Sequence, residues 1–513
     1  MSKRKKVLFI IMDQFRADCI EGVLGEHVEL PHIRALQKEA LTFSRCFSVT
    51  NPCGPSRASI FTGLYAMNHR SVRNGTPLSA DITNLALEAR KGSYEPLLFG
   101  YTDTSRDPRT RPEDDPDLRT EENVLPGFRE VVEMRFRESI PWRADLKAKG
   151  YKLPDFSKFY HPVPSEPGQP ARLDDAAFYK AEDSDTAFLT NRFIEEMAVR
   201  TDRNWFALLT YIRPHPPLVA PVPYNRMYRG DELPLPVRMN NAEDEAAVHP
   251  FLKAAQIRPS LESIAHGFEG RIDAGSDADV QTLRATYLGL ASEVDFHIGR
   301  VVEFLKETGQ YEETLIVLMA DHGEMLGDHH MWGKHNVYEQ AFRIPLIIRD
   351  PGNPAQHGAK VEALVESIDV TPTILDLMGR DVPRAMNGVS LRPFIEGERP
   401  EVWRDCVHLE LDYGEPDKPT IWQNVTGTSL HEANVAILRE ERFKLVHFNG
   451  GLAPLLYDLE NDPDEMNDLA GDPAHAETLL RLTQKLLSLR MRHLDRTLAD
   501  VKITPDGPVS FGE

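Results

Sequence analysis

The chain is 513 residues long and carries 59 Lys and Arg against 80 Asp and Glu, a formal charge of −21 at neutral pH. A field of that sign repels nucleic-acid backbones and anionic lipid, which excludes a general nucleic-acid or membrane-surface binder. A local basic pocket for a small anion is still allowed, because short-range contacts outweigh a screened field, and a hydrophobic content of 41% excludes a disordered chain.

The chain opens with MSKRKK and then VLFIIM. The basic start is that of a secretion signal, but the apolar run is six residues long and ends in Asp13 with no small-residue cleavage pattern. No stretch approaches the roughly 20 apolar residues of a membrane span. Cys19, Cys46, Cys53 and Cys406 are too few to staple a chain of this length, and no C-x-x-C zinc pattern occurs. A cytoplasmic protein is expected.

Residues 7–12 are a short apolar run of the kind buried on both faces of a sheet, and a helical stretch follows at 30–39. The segment 102–122, rich in Asp, Arg and Pro, and the segment 154–175, with five prolines, read as long loops that wall a site or reach a neighbour. A helix at 185–198 precedes an apolar run at 205–211, and a helix at 280–307 precedes the run at 315–320. After a further run at 344–348 come a turn-rich break at 351–358 and a helix at 369–378. Strands alternating with helices predict an α/β domain over residues 1–400, its central sheet covered on both sides. Beyond residue 400 the runs 406–411 and 443–448 alternate like antiparallel strands, and 474–492 is amphipathic, so residues 401–513 are expected to form a smaller α+β domain.

In an open α/β sheet, ligands bind beyond the carboxyl ends of the strands. Asp13 and Gln14 follow the first run, Arg213 and His215 follow 205–211, and Asp321 and His322 follow 315–320. Carboxylate, amide and imidazole groups suit a divalent cation, Mn²⁺, Zn²⁺ or Ca²⁺; singly, an Asp after a strand also caps the next helix. The segment 51–59, NPCGPSRAS, puts Cys53 in an irregular polar stretch before a helix. A free Cys is commonly a small buried hydrophobe. A helix start and a nearby Arg also favour a thiolate nucleophile. A tyrosine-phosphatase loop is absent, since the position six after Cys53 is Ser59, not Arg.

The C-x-P-S-R pattern resembles the signature of the sulfatases, a branch of the alkaline phosphatase superfamily. The resemblance runs from VLFIIMDQ through TNPCGPSRASIFTGLYAMNHR, YIRPHPP, DHGEMLGDHH and GDHHMWGK to YDLENDPDEMNDLA, and is nearest to phosphonate monoester hydrolases and bacterial arylsulfatases. It implies an alkaline-phosphatase-like α/β/α sandwich with a central mixed sheet. It also implies that a separate formylglycine-generating enzyme oxidises Cys53 to Cα-formylglycine. Its hydrate would attack sulfur or phosphorus with one hydroxyl and release the product through the other, which a Ser at position 53 could not do.

By position, the resemblance implies a metal held by Asp13, Gln14, Asp321, His322 and the modified Cys53. Arg57 would balance the diol's charge. Asn74, Tyr101, His215 and Lys334 match the substrate-contacting set, with Lys334 and Asn74 on the non-bridging oxygens and His215 donating to the leaving-group oxygen. His329 and His330 are assigned structural roles. The similar phosphonate hydrolases carry a hydroxyl residue where this chain has Asp103, which either disfavours dianionic substrates or pairs with Arg106 or Arg109. The expected activity is hydrolysis of phosphonate monoesters and phosphate diesters with sulfate monoesters close behind; a dedicated arylsulfatase with the other two as side activities is the alternative. A two-metal phosphatase with a Ser or Thr nucleophile is opposed by Cys53, and a scaffold protein by the complete ligand set. A small anionic ester is the expected substrate, and a homo-dimer or homo-tetramer the expected assembly.

Overall fold

The computed structural model describes residues 6–135, 138–201, 204–257, 259–271, 276–495, 498–499 and 501–510. Most of the basic start, residues 1–5, lies outside them. The main sheet contains β1 (Lys6–Met12), β2 (Leu41–Phe47), β3 (Pro96–Gly100), β4 (Arg129–Glu133), β5 (Phe206–Tyr211), β6 (Thr314–Ala320), β7 (Arg343–Arg349), β8 (Lys360–Val361) and β9 (Val365–Glu366). Its order is β4-β3-β5-β1-β6-β7-β2-β8, with β9 also on β2. The apolar runs read from the sequence are its centre: β1, β5 and β6 are buried along their whole length.

Both faces are covered. Phe9 of β1 packs edge-on against Phe61 of the helix Cys53–Thr62, whereas Phe99 of β3 packs against Phe193 of the helix Asp185–Ala198. Phe9 pairs in register with Leu208, and Leu208 with Leu98, so Phe99 points to the opposite side and the two helices lie on opposite faces. The 31-residue helix Asp277–Glu307 joins Asp185–Ala198 on its face and starts at a capping box between Ser276 and Asp279.

The sheet is mixed. Strands from β4 to β6 in the spatial order are mutually parallel, and β7 runs antiparallel to both neighbours. The cause lies in the connection: residues 321–342 leave β6 at its carboxyl edge and contain only short helical turns, so the chain re-enters the sheet from that same edge. Strands β2, β3 and β4 lie in segments where no strand was predicted.

A second sheet, β10 (Cys406–Asp412), β11 (Asn434–Glu440), β12 (Phe443–Phe448) and β13 (Leu455–Asp458), is antiparallel throughout. One face packs on the helix Ala476–His493 through Leu438, Leu445, Leu456, Leu482 and Leu486. The other shares a core with Phe251 of the helix Pro250–Ile257 and with Tyr338 and Phe342 from the connection after β6. A hairpin of β14 (Val501–Thr504) and β15 (Gly507–Ser510) lies beyond the last helix.

Candidate active site

Four adjacent strands, β3, β5, β1 and β6, end side by side in the order in which the site needs them. Met12 pairs with Ala320 and Tyr211 with Met12, so Asp13, Asp321 and the turn bearing His215 leave the sheet as neighbours. Tyr101 follows β3 directly. Opposite them, β2 delivers the chain to the helix Cys53–Thr62, whose first residue is Cys53. The Ser56 hydroxyl ties that helix to β6 by donating to the Asp321 carbonyl at 2.6 Å. Gly54 permits the close approach, because a Cβ there would meet Asn74 Oδ1 at 3.0 Å and the Asp103 carbonyl at 3.1 Å.

The Cys53 sulfur lies 3.2 Å from His322 Nε2 and 3.6 Å from Asp13 Oδ1. One ligand atom each from Asp13, Cys53, Asp321 and His322 falls within 4.8 Å of the others, all four residues being buried. His322 is set as a ligand: Nδ1 meets the Gly323 carbonyl at 3.0 Å, so it carries the proton and leaves the Nε2 lone pair on the cluster. Burial also depresses its pKa, with Lys334 acting in the same direction against Asp321 and Asp13, and keeps the ring neutral. Two carboxylates, an imidazole and a polar side chain at position 53 are a donor set that fits one divalent cation.

Arg57 is fully buried between the two carboxylates, with Nε 2.9 Å from Asp321 Oδ2 and Nη2 3.4 Å from Asp13 Oδ2. Its other hydrogens reach the Tyr101 carbonyl and Thr210 hydroxyl, each at 3.2 Å, and the Tyr101 hydroxyl at 3.0 Å. Tyr101 in turn donates to Asp13. Burial alone would raise the Asp13 carboxyl, but Arg57, Lys334, His322 and the Tyr101 hydroxyl hold it below the usual carboxylate range. Burial, with Asp13 and Asp321 adding, pushes the Cys53 thiol well above its usual value against the pull of Lys334. The protein environment therefore works against a thiolate nucleophile at this position.

Gln14 adopts a left-handed backbone, φ 63°, and the Tyr287 hydroxyl donates to its carbonyl at 2.7 Å. This turns its amide across the cluster, where the oxygen accepts from Lys334 Nζ at 2.7 Å and the nitrogen donates to Glu324. Lys334 Nζ also lies 2.7 Å from His215 Nε2. Because His215 Nδ1 meets the Pro216 carbonyl at 2.5 Å, the ring proton sits on Nδ1 and Nε2 accepts from Lys334. His215 was expected to be the donor; in this arrangement the shared proton belongs to Lys334. Burial first, then Lys334, pushes the His215 pKa well below the usual range. Burial works to depress the Lys334 ammonium, but residue 53, Asp13 and Asp321 outweigh it and hold it above the usual lysine value.

Of the residues the resemblance assigns to the metal and the substrate, Asn74 alone is exposed; it stands at the rim, its Oδ1 accepting from the Gly54 N–H at 3.0 Å. His329 stacks on Tyr338 at 3.6 Å and pairs with Glu245, and His330 meets the Met239 carbonyl at 2.8 Å, contacts outside the ligand cluster. Asp103 pairs with neither arginine offered to it: Arg106 meets Asp117, and Arg109 meets Asp107. Sequence reasoning missed Glu324, which fixes the Gln14 amide and accepts from the Leu326 and Gly333 N–H groups at 2.9 and 2.6 Å. An acid three residues after Asp321, in DHGE, was the available signal.

A family model described as Sulfatase matches residues 5–380, and one described as N-sulphoglucosamine sulphohydrolase, C-terminal, matches residues 327–492. The solved phosphonate monoester hydrolase SpPMH from Silicibacter pomeroyi is 55% identical, with a TM-score of 0.96 over 99% of each chain. The phosphonate monoester hydrolase of Agrobacterium radiobacter is 41% identical with a TM-score of 0.94, covering 99% of this chain and 100% of that one. The multifunctional alkaline phosphatase superfamily protein PehA of Trinickia caryophylli is 39% identical over 519 residues, 98% of either chain. The strand-end cluster around residue 53 thus sits in a matched fold over nearly the whole length, and the chain belongs to the sulfatase family of the alkaline phosphatase superfamily, as a hydrolase acting on ester bonds.

Proposed function

We propose that the protein hydrolyses singly charged esters: phosphonate monoesters and phosphate diesters first, and sulfate monoesters close behind. The observation that carries this reading is the convergence of Asp13, Cys53, Asp321 and His322 within 4.8 Å, with the Lys334–His215 pair beside them. Asp13, Gln14, Asp321, His322 and residue 53 would hold one divalent cation, Mn²⁺, Ca²⁺ or Zn²⁺. The cation supplies positive charge beside residue 53, and the formylglycine made from Cys53 by its generating enzyme supplies the hydrated nucleophile. Arg57 holds the two carboxylates apart and balances them. Asn74 and Lys334 bind the non-bridging oxygens of the ester, and Tyr101 orients Asp13. The Lys334–His215 pair holds the proton for the departing oxygen.

With purified holoenzyme, matched aryl phosphonate, aryl phosphate diester and aryl sulfate substrates should all be turned over. A chelator should remove roughly a hundredfold or more of each rate, reversed by added metal. Rates untouched by chelation would overturn the reading.

Asp103 supports the preference for single charge. It is half-buried on a left-handed backbone, φ 50°, with its carbonyl against residue 54. Burial, with Asp13 and Glu122 acting the same way against Arg57, raises its pKa to about 7. The Asp103→Thr variant should gain about tenfold on an aryl phosphate monoester relative to the sulfate, the scale of a like-charge repulsion of about 1 kcal/mol, screened nearly as in water. Because Asp103 is neutral below its pKa and charged above it, the ratio of variant to parent rate on that substrate should rise between about pH 6 and about pH 8. A ratio flat in both respects would remove Asp103 from selectivity.

Four cysteines with no disulfide among them support the cytoplasm as the place of action. Exposed Leu480, Leu487 and Met491 on the last helix, with Ile503 of the hairpin, support a homo-dimer or homo-tetramer. Light scattering that shows only monomer mass would overturn that assembly.

A further inference from the structure

The turn that carries His215 is gripped from below by a buried ion pair. Arg213, 1% exposed, donates from Nε to Asp185 Oδ2 at 3.0 Å, and Asp185 is itself 2% exposed. Arg213 Nη1 donates to the carbonyls of His215 at 3.2 Å and Pro217 at 2.7 Å, so one guanidinium clasps the turn at two points. Asp185 is the first residue of the helix Asp185–Ala198, and its Oδ1 accepts from the Thr186 N–H at 2.7 Å. The clasp is therefore anchored to a helix packed on the sheet. The Tyr160 ring lies 5.2 Å from the guanidinium carbon. Glu293 also faces the cluster, but burial, with Asp185 adding, raises its pKa to about 8, so its carboxyl is largely uncharged near neutral pH, and the ion pair is the one at 3.0 Å with Asp185. Among the described residues Arg213 Nη2 is buried with no hydrogen-bond partner. A buried ion pair with an unsatisfied nitrogen is a poor source of net stability, so a role in placing the turn accounts for the arrangement better than stability does.

We infer that Asp185 and Arg213 are positioning residues for departure of the leaving group: Asp185 anchors Arg213, and Arg213 holds the 214–217 turn so that His215 Nε2 meets Lys334 Nζ. This rests on the reading that the Lys334–His215 pair protonates the departing oxygen. In that step sulfur or phosphorus gains a bond to the nucleophilic oxygen at residue 53 and loses its bond to the ester oxygen, whose electron pair stays on that oxygen. A proton passes to that oxygen from the pair. Proton delivery matters little for an acidic phenol and much for a basic one.

The test uses full-length holoenzyme and a series of aryl phosphonate monoesters running from nitrophenols to unsubstituted phenol. Arg213→Lys and Asp185→Asn should stay within about threefold of the parent kcat on the most acidic phenol and lose roughly thirtyfold or more on the least acidic. The dependence of log kcat on phenol pKa should steepen, KM should be little changed, and His215→Asn should steepen it in the same way. The double variant Arg213→Lys/His215→Asn should be no slower than His215→Asn alone, because both changes remove one device. Equal losses across the series, or a double variant slower by the product of the two single losses, would sink the positioning role. If His215→Asn steepens the dependence and neither Arg213→Lys nor Asp185→Asn does, the positioning role alone falls. If His215→Asn leaves it unchanged, the reading of the pair falls and this inference with it. Melting curves identify an unfolded variant, and Asp185→Asn, which keeps the side-chain shape, carries the test should Arg213→Lys not fold.

Discussion

Replacing Cys53 with Ala should abolish turnover, with a loss of roughly ten-thousandfold or more in kcat on every ester class, while the protein stays folded. The effect is large because the four-group cluster meets at this side chain, with His322 Nε2 at 3.2 Å and Asp13 Oδ1 at 3.6 Å. The fold should survive because those are sulfur contacts at a strand-end site, not packing in the apolar core. Cys53→Ser separates the proposed chemistry from an ordinary nucleophile. A single hydroxyl at position 53 can release at most one equivalent of phenol per site, since no second hydroxyl remains to expel the product. Sustained turnover by the Ser variant would overturn the aldehyde-hydrate account. Peptide mass spectrometry gives the independent readout: in active protein the fragment containing residue 53 should have lost one sulfur and two hydrogens and gained one oxygen. Activity in a sample carrying only unmodified Cys53 would overturn it as well.

Arg57→Met should cost about 3–5 kcal/mol of stability near neutral pH and at least a hundredfold in kcat, roughly the scale for losing a buried charge partner and a preorganised donor. Arg57 is fully buried and bonds Asp13 and Asp321 directly, so its loss leaves both buried carboxylates without that partner. The sign of the pH dependence follows from Asp13, whose carboxyl is held below its usual range. Stabilisation of that kind is fully present above the unfolded value of about 4 and is lost as pH falls through the folded value. The gap in melting temperature between parent and variant should therefore be widest near neutrality and close in acid. Arg57→Lys should rescue little, because Nε, Nη1 and Nη2 serve Asp321, Thr210, Asp13 and both oxygens of Tyr101, a planar fork that one ammonium cannot reproduce. A gap constant across pH, or full rescue by Lys, would contradict the two-carboxylate wedge.

Much of the site was legible along the chain, and the reason is local. A strand buried on both faces appears as an unbroken apolar run, and its last residue marks the sheet edge where ligands bind. Asp13, Gln14, Asp321 and His322 stood directly after such runs, and Cys53 stood in a motif whose type and spacing are distinctive. The helix 185–198 was likewise readable to the residue, since Ser184 caps it by accepting from the Ala187 N–H. Strands β2 (LTFSRCF), β3 (PLLFG) and β4 (REVVE) escaped because β2 and β4 are interrupted by polar residues, β3 is a short run between Pro and Gly, and all three take their stability from neighbours.

What the linear order could not contain is adjacency. That Asp13 and Asp321 leave the sheet together depends on β1 and β6 pairing in register across some 300 residues, a long-range choice made by the packing of the whole core. The reversal of β7 depends on where residues 321–342 lie in space. Which partner of Lys334 and His215 holds the proton depends on the Pro216 carbonyl beside Nδ1, and the clasp of Asp185 on Arg213 depends on a helix from one segment meeting a turn from another. Side-chain chemistry and local periodicity are properties of the sequence by itself. Distances between charges, and therefore pKa values, proton positions and the fit for a cation, are decided only when burial and strand order bring remote residues into contact, because Coulomb and desolvation energies depend on separation and solvent access rather than on position along the chain.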